Sequence, residues 1–285
     1  MRRLLVIWML FCSLCLAQGA TKRALLIGIG AYPQDKDNFW NPIHGDNDVP
    51  LIKGVLLQNG FEASNISTLV NEQATYKGIQ RALARLINEA SVCDTVYIHF
   101  SGHGQLITDL NGDEPSGYDE AWIPYDALQV PSKNYHGQNH FVDDELNAYL
   151  HRLRAKVGPL GRIVVVADAC HSAGGSRTYD EEVIRGTTAR FELSNRPRRN
   201  YSVPNTEDWI FLSACSSEGF NRQCNVDDEW HGSLSYAIYL LSDQLRIVSA
   251  EELRSMIENT MYNLLHRTQT PVLDGPVSQI VIPIL

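Results

Sequence analysis

Short β-rich runs alternate with amphipathic helical stretches along nearly the whole chain, and this alternation restricts the fold more than any other feature. Strand patterns fall at 23–28, 66–70, 95–100, 162–167, 209–213 and 278–284. Several are apolar without a polar face, Ile163-Val164-Val165-Val166 most clearly, as in strands covered on both sides. Between them lie helical patterns at 47–59, 75–89, 143–153, 232–241 and 249–265. The first places Val49, Ile52, Val55 and Leu56 on one face, and the second does the same with Ile79, Leu83, Leu86 and Ile87. The last opens on Ser249-Ala250-Glu251-Glu252, a capping-box pattern. Strands alternating with helices predict a parallel sheet with helices on its faces. Two polar stretches, 105–138 and 176–205, read as long loops. The second is dense in arginine: Arg177, Arg185, Arg190, Arg196, Arg198 and Arg199.

The first twenty residues stand apart. Arg2 and Arg3 precede a short apolar run, 4–16, and Ala17-Gln18-Gly19-Ala20 offers small residues for cleavage. This is a secretory-signal pattern too short for a comfortable membrane span, so the expectation is a secreted or periplasmic protein with no span after signal removal. A net charge of −9 carries no nucleic-acid footprint. Four of the six cysteines lie beyond the signal. Cys215 and Cys224 are spaced to pair across a loop, and Cys93 reads as a buried thiol; their spacing fits no zinc pattern.

Two apolar strands each end in a small-residue turn carrying a reactive side chain. The run 95–100 leads into Ser101-Gly102-His103-Gly104, and 162–167 leads into Asp168-Ala169-Cys170-His171-Ser172. Sites in open parallel sheets form at the carboxyl ends of strands, so His103 and Cys170 share a crevice if these strands are neighbours. A cysteine attacks as its thiolate and needs a nearby base, the role read for His103; His171 is the rival base. The backbone N–H groups of Gly104 and Cys170 are placed to form an oxyanion hole.

With those residues in view, His99-Phe100-Ser101-Gly102-His103-Gly104-Gln105 resembles the histidine motif of the metacaspases. Asp168-Ala169-Cys170-His171-Ser172-Ala173-Gly174 resembles their cysteine motif, with Ala173 where the family usually has glycine. Residues 111–120 resemble the family's acidic loop, and 209–215, 231–236 and 269–271 resemble its small-subunit region, so that the likeness covers 23–284. It implies a caspase-like three-layer α/β sandwich around a mostly parallel six-stranded sheet. The chain then divides into a signal (1–20), a large-subunit-like part (21–175), an arginine-rich loop open to processing (176–205) and a small-subunit-like part (206–285). The resemblance further implies a cysteine endopeptidase cleaving peptides or proteins after Arg or Lys, with Asp48, Ser101 and Asp168 in the first pocket. Calcium is implied as a promoting ion at Asp119, Asp143 and Asp144, with no organic cofactor. The family's fourth acidic ligand has no clear match, because Arg177 stands in its place and Asp180 is the nearest carboxylate. The competing readings are a caspase-like peptidase with another first-pocket preference and a catalytically silent, calcium-responsive binding protein.

Overall fold

The computed structural model describes residues 19–34, 38, 40–170, 184–187, 189–194, 208–216, 219–243 and 249–275. In chain order the elements are β1 (Lys22–Gly28), α1 (Gly45–Gln58), β2 (Ile66–Val70), α2 (Tyr76–Glu89), β3 (Thr95–Ser101), β4 (Gly104–Thr108), β5 (Tyr118–Trp122), β6 (Phe141–Val142), α3 (Asp143–Val157), β7 (Arg162–Asp168), β8 (Ile210–Ser213), β9 (Gln223–Val226), β10 (Glu229–Gly232), α4 (Ser233–Leu241), α5 (Ala250–Leu265) and β11 (Val272–Asp274). Six strands form one sheet in the order β11-β8-β7-β3-β1-β2. Every neighbouring pair is parallel except β11 on β8.

Successive residues of the central strands feed opposite faces, as the pleat requires. Leu25, Ile27, Val96, Ile98, Phe100, Ile163 and Val165 join one core cluster with Ile79 and Leu83 of α2 and Leu146 and Leu150 of α3. Leu26, Tyr97, Val164 and Val166 join the other, with Ile52 and Val55 of α1, Leu234 and Ile238 of α4, and Leu253 and Ile257 of α5. The sheet therefore lies between two helical layers, which is why its strands read as continuously apolar. The three-layer, mostly parallel six-stranded sandwich expected from the sequence is the one observed.

Several expectations need correction or fall elsewhere. The stretch 105–138 is not one loop: β4 and β5 lie in it, paired antiparallel, with β6 added to β5. Both strands are five residues long, and the Tyr-Asp-Glu sequence of β5 disguises it, since carboxylates are depleted in strands. The expected strand 278–284 lies outside the described residues, and β11 holds the sheet edge among those described. Cys215 and Cys224 are free thiols rather than a pair, while Cys93 is disulfide-bonded rather than a free thiol. Residues 1–18 of the expected signal (1–20) also lie outside the described residues. No described helix is long and apolar enough to cross a membrane.

Candidate active site

Strands β1, β3 and β7 are neighbours whose last residues lie in register, Gly28 beside Ser101 and Ser101 beside Asp168. The turns after β3 and β7 therefore open side by side, and His103 and Cys170 emerge from them. Both are buried, at 1% and 0% exposure.

His103 is held from all sides. Its ring stacks on Trp40, with centroids 4.9 Å apart, and lies 5.2 Å from Tyr32. Its backbone N–H donates to the Tyr32 hydroxyl at 3.0 Å. Nε2 lies 2.8 Å from the carbonyl oxygen of Asn41, which can only accept, so Nε2 carries the proton and Nδ1 keeps its lone pair. Nδ1 is buried and has no hydrogen-bond partner among the described residues. Burial lowers the imidazole pKa to about 4, so the ring is a neutral proton acceptor near pH 7.

The Cys170 thiol donates to the carbonyl oxygen of Gly219 at 2.9 Å rather than to His103. The buried Cys215 thiol also hydrogen-bonds Cys170. That bond, with burial behind it, pushes the Cys215 thiol far up and keeps it protonated. His171, the rival base, lies outside the described residues. Gly104, the other expected oxyanion donor, opens β4 opposite Trp122.

Asp48, Ser101 and Asp168 do converge, each at 0% exposure. Asp48 lies in the first turn of α1 but caps nothing. Its carboxylate accepts from the Ser101 hydroxyl at 2.6 Å, the Gly232 N–H at 3.1 Å and His231 Nδ1 at 3.2 Å. Asp168 accepts from Asn221 Nδ2 at 2.7 Å and from the N–H and hydroxyl of Ser235, in the first turn of α4, both at 2.7 Å. Gly232 forms the wall between the two acids. A Cβ there would sit 2.1 Å from an Asp168 oxygen and 2.6 Å from a guanidinium nitrogen, so only glycine leaves the pocket open.

That guanidinium belongs to the chain itself. Arg185, from the arginine-rich loop, is 0% exposed, with Nη2 3.0 Å from Asp48 Oδ2 and Nη1 3.7 Å from Asp168 Oδ1. Nη1 also donates to the Ser101 hydroxyl. Burial alone would lower the arginine's pKa, but the two carboxylates hold it above its ordinary value. Burial would likewise raise Asp48, yet Arg185, His231 and Ser101 bring it below the usual carboxylate range. The backbone of Arg185 is held as well. Its carbonyl oxygen accepts from the Cys170 N–H at 2.8 Å, and its N–H donates to the Asn221 carbonyl at 3.0 Å. A Cβ on the next residue, Gly186, would lie 2.4 Å from the Cys170 carbonyl oxygen. The peptide bond between Arg185 and Gly186 thus packs against Cys170.

A second acidic site forms beside β5. Carboxylate oxygens of Asp109, Asp113 and Asp119 lie within 4.8 Å of one another. Burial and the neighbouring Asp109, Asp144, Asp113 and Glu114 push Asp119 up to about 7, while burial, Asp113, Asp109 and Glu114 raise Asp144 to about 6. Asp143, more deeply buried, is raised well above the usual range by desolvation, Asp119 and Asp144. Oδ1 of Asp119 is buried with no hydrogen-bond partner among the described residues. Packed carboxylates with an unsatisfied buried oxygen form a donor set that suits a hard cation such as calcium. Of the residues expected there, only Asp119 belongs to that group, with Asp143 and Asp144 near enough to raise one another's pKa; Asp109 and Asp113 join it unforeseen.

Sequence reasoning missed Arg185 as a pocket occupant, and Cys215, Gly219, Asn221, His231, Gly232 and Ser235 as parts of the site. The signal for Arg185 was there in Ile184-Arg185-Gly186, but six arginines in one loop gave no reason to single it out.

Sheet order, adjacent strand ends and a buried Cys–His pair define a caspase-fold protein. The caspase domain family matches residues 21–275, and the chain belongs to this metacaspase and caspase-like family of cysteine peptidases. Metacaspase-4 of Arabidopsis thaliana is 34% identical over 219 residues, 73% of this chain and 48% of that protein. Metacaspase-1A of Aspergillus oryzae is 35% identical over 162 residues, 53% of this chain and 34% of its own length. The chain thus spans half or less of the length of these relatives. A crystal structure of a Geobacter sulfurreducens protein superimposes with a TM-score of 0.61 at 18% identity, covering 89% of this chain and 92% of that one, a likeness of fold.

Proposed function

We propose that this chain is a cysteine endopeptidase that hydrolyses peptide bonds after Arg or Lys. The observation that carries the reading is the seat of Arg185: its guanidinium lies between Asp48 and Asp168 while its carbonyl meets the Cys170 N–H. Two buried carboxylates favour a cation and penalise an acidic or apolar side chain, which argues against an aspartate-directed peptidase. Cys170 attacks the carbonyl carbon, His103 takes the thiol proton and returns it to the departing amine, and water then releases the acyl group. The N–H of Cys170 stabilises the oxyanion. Such chemistry argues against the silent binding protein.

In the uncut chain the pocket is filled and Cys170 is covered, so self-cleavage at Arg185–Gly186 precedes cleavage of other proteins. Intact-mass analysis of purified protein is expected to show fragments ending at Arg185 and beginning at Gly186. Cys170→Ala and Arg185→Ala should both stay whole at this bond. A cut between 185 and 186 that persists in Cys170→Ala would assign it to another protease and remove the main support for this reading.

Calcium promotion belongs to the same proposal, with Asp109, Asp113, Asp119, Asp143 and Asp144 as the residues that hold the ion. An ion there would relieve the repulsion among these acids and order the β5 region. Calcium is expected to raise both the melting temperature and the activity of wild type. Asp143→Ala should lose both responses, and equal responses in the two proteins exclude this site. Export rests on residues 1–20 alone, and N-terminal sequencing of secreted or periplasmic material tests it.

A further inference from the structure

Beyond Gly186 the chain does not leave the surface. Thr187 accepts through its hydroxyl from Gln129 Nε2 at 3.4 Å, and the Ala189 carbonyl accepts from Gln105 Nε2 at 2.8 Å. The segment then reaches the free edge of β4 and lies along it. The Phe191 N–H donates to the Leu106 carbonyl at 2.8 Å, the Thr108 N–H donates to the Phe191 carbonyl at 3.1 Å, and the Leu193 N–H donates to the Thr108 hydroxyl at 3.0 Å. Ala189, Arg190 and Glu192 are exposed, whereas Phe191 is buried at 0%. Its ring packs on His140, with centroids 4.5 Å apart, and meets Tyr135 edge-on at 5.7 Å. The pocket floor is fixed without it, because His140 Nε2 bonds Gln105 Oε1 at 2.9 Å and Nδ1 bonds the Tyr135 hydroxyl at 3.0 Å.

Main-chain pairing to a strand edge plus one side chain in one pocket is how folded proteins recognise extended peptides. The path also begins at the bond held against Cys170. We infer that the β4 edge is a downstream substrate subsite which takes a large aromatic side chain on the sixth residue after the cut, and that residues 189–193 are its resident occupant. The inference rests on the proposed cleavage after arginine, since that reading sets the register. A substrate with an aromatic residue at this distance is gripped on both sides of its scissile bond, and Phe191 likewise presents Arg185–Gly186 for self-cleavage.

The test uses three substrates on processed enzyme. One is a short arginyl amide with a fluorogenic leaving group and no downstream residues. The second copies residues 184–194 with Arg190→Gln, which leaves one arginine, and the third adds Phe191→Ala to that peptide. Enzyme carrying Phe191→Ala or the milder Phe191→Leu vacates the groove. In that enzyme the aromatic peptide is expected to be cleaved with kcat/KM roughly tenfold or more above its alanine version, from burial of one phenyl ring. In wild type the resident strap competes, and the preference should shrink. Equal cleavage of both peptides by a strap variant that still turns over the amide overturns the inference. So does loss of amide turnover in both variants while wild type retains it, which makes the strap part of the fold. Failure of wild type to cleave the amide at all strikes the proposed function instead.

Discussion

Cys170→Ala is expected to abolish cleavage after arginine, and His103→Ala to lower turnover by on the order of 10³-fold or more. Neither change should unfold the protein, because the sheet and both cores are built from other side chains. His103→Ala carries a second signature that a loss of packing alone would not give. The folded pKa of His103 is about 4, against 6.5 for the free side chain. Above pH 6.5 both states hold a neutral ring and nothing is lost. As pH falls from 6.5 towards 4, the unfolded chain takes up the proton first, so stability declines across that window and levels off below it. His99 and His140, also lowered by burial, to about 4 and about 3, act in the same direction. Asp119 and Asp144, raised to about 7 and about 6, act in the opposite direction over this range, so the signature is the difference between the two proteins: between pH 6.5 and 4 His103→Ala should lose less melting temperature, or gain more, than wild type. Thermal scans across that range, beside a kinetic assay, check both parts. Full activity in Cys170→Ala, or an unchanged acid slope in His103→Ala, contradicts the assignment.

The placement of His103 and Cys170 at neighbouring strand ends was legible because it is local. Each reactive residue follows an apolar strand within three residues, and β3 and β7 pair in register along their whole lengths, so strand positions alone fix how close the turns come. Asp48, Ser101 and Asp168 were legible through the family motif, and the structure supplies the physical reason: a carboxylate in the first turn of α1 reaches the end of β3. What stayed hidden depends on contacts distant in sequence. His231 meets Asp48 across 183 positions, and Gln223 accepts from the His44 N–H across 179. No local periodicity encodes such pairs. β4 and β5 were hidden for another reason. A five-residue strand with Gly at one end, or with two acids in its middle, carries little of the alternation that marks longer strands. Asp109 escaped notice because its carboxylate looks like a turn-former, and it does accept from the N–H groups of Asn111, Gly112 and Glu114. The same residue also faces Asp113 and Asp119, a second role that only the folded loop reveals.

Asp168→Ala and Asp48→Ala are each expected to reduce cleavage after arginine by about 30-fold to several thousandfold, which is the roughly 2–5 kcal/mol lost when one partner of a desolvated pair is removed. The effect should fall on kcat/KM for arginyl and lysyl substrates. Alkylation of Cys170 by a small neutral reagent should change far less, because that reagent never enters the pocket. Uncut protein must respond as well. Arg185 is buried with its charge compensated by these two acids, so deleting one strands a cation at 0% exposure. In the Cys170→Ala background, Asp168→Ala should therefore lower the melting temperature, and adding Arg185→Met should restore part of it by removing the stranded charge. Asp168 also accepts from Asn221 and Ser235, which lose that acceptor in Asp168→Ala, so Asp168→Asn separates charge from shape. The amide keeps the volume and an acceptor oxygen, and a loss of arginine cleavage in Asp168→Asn comparable to that in Asp168→Ala assigns the effect to charge. Wild type that cleaves after aspartate or large apolar residues as fast as after arginine removes the pocket assignment while leaving the dyad intact. Restoration by Arg185→Met distinguishes the two roles of the acids, since it repairs the folded state and cannot repair recognition of an arginine brought in by another chain.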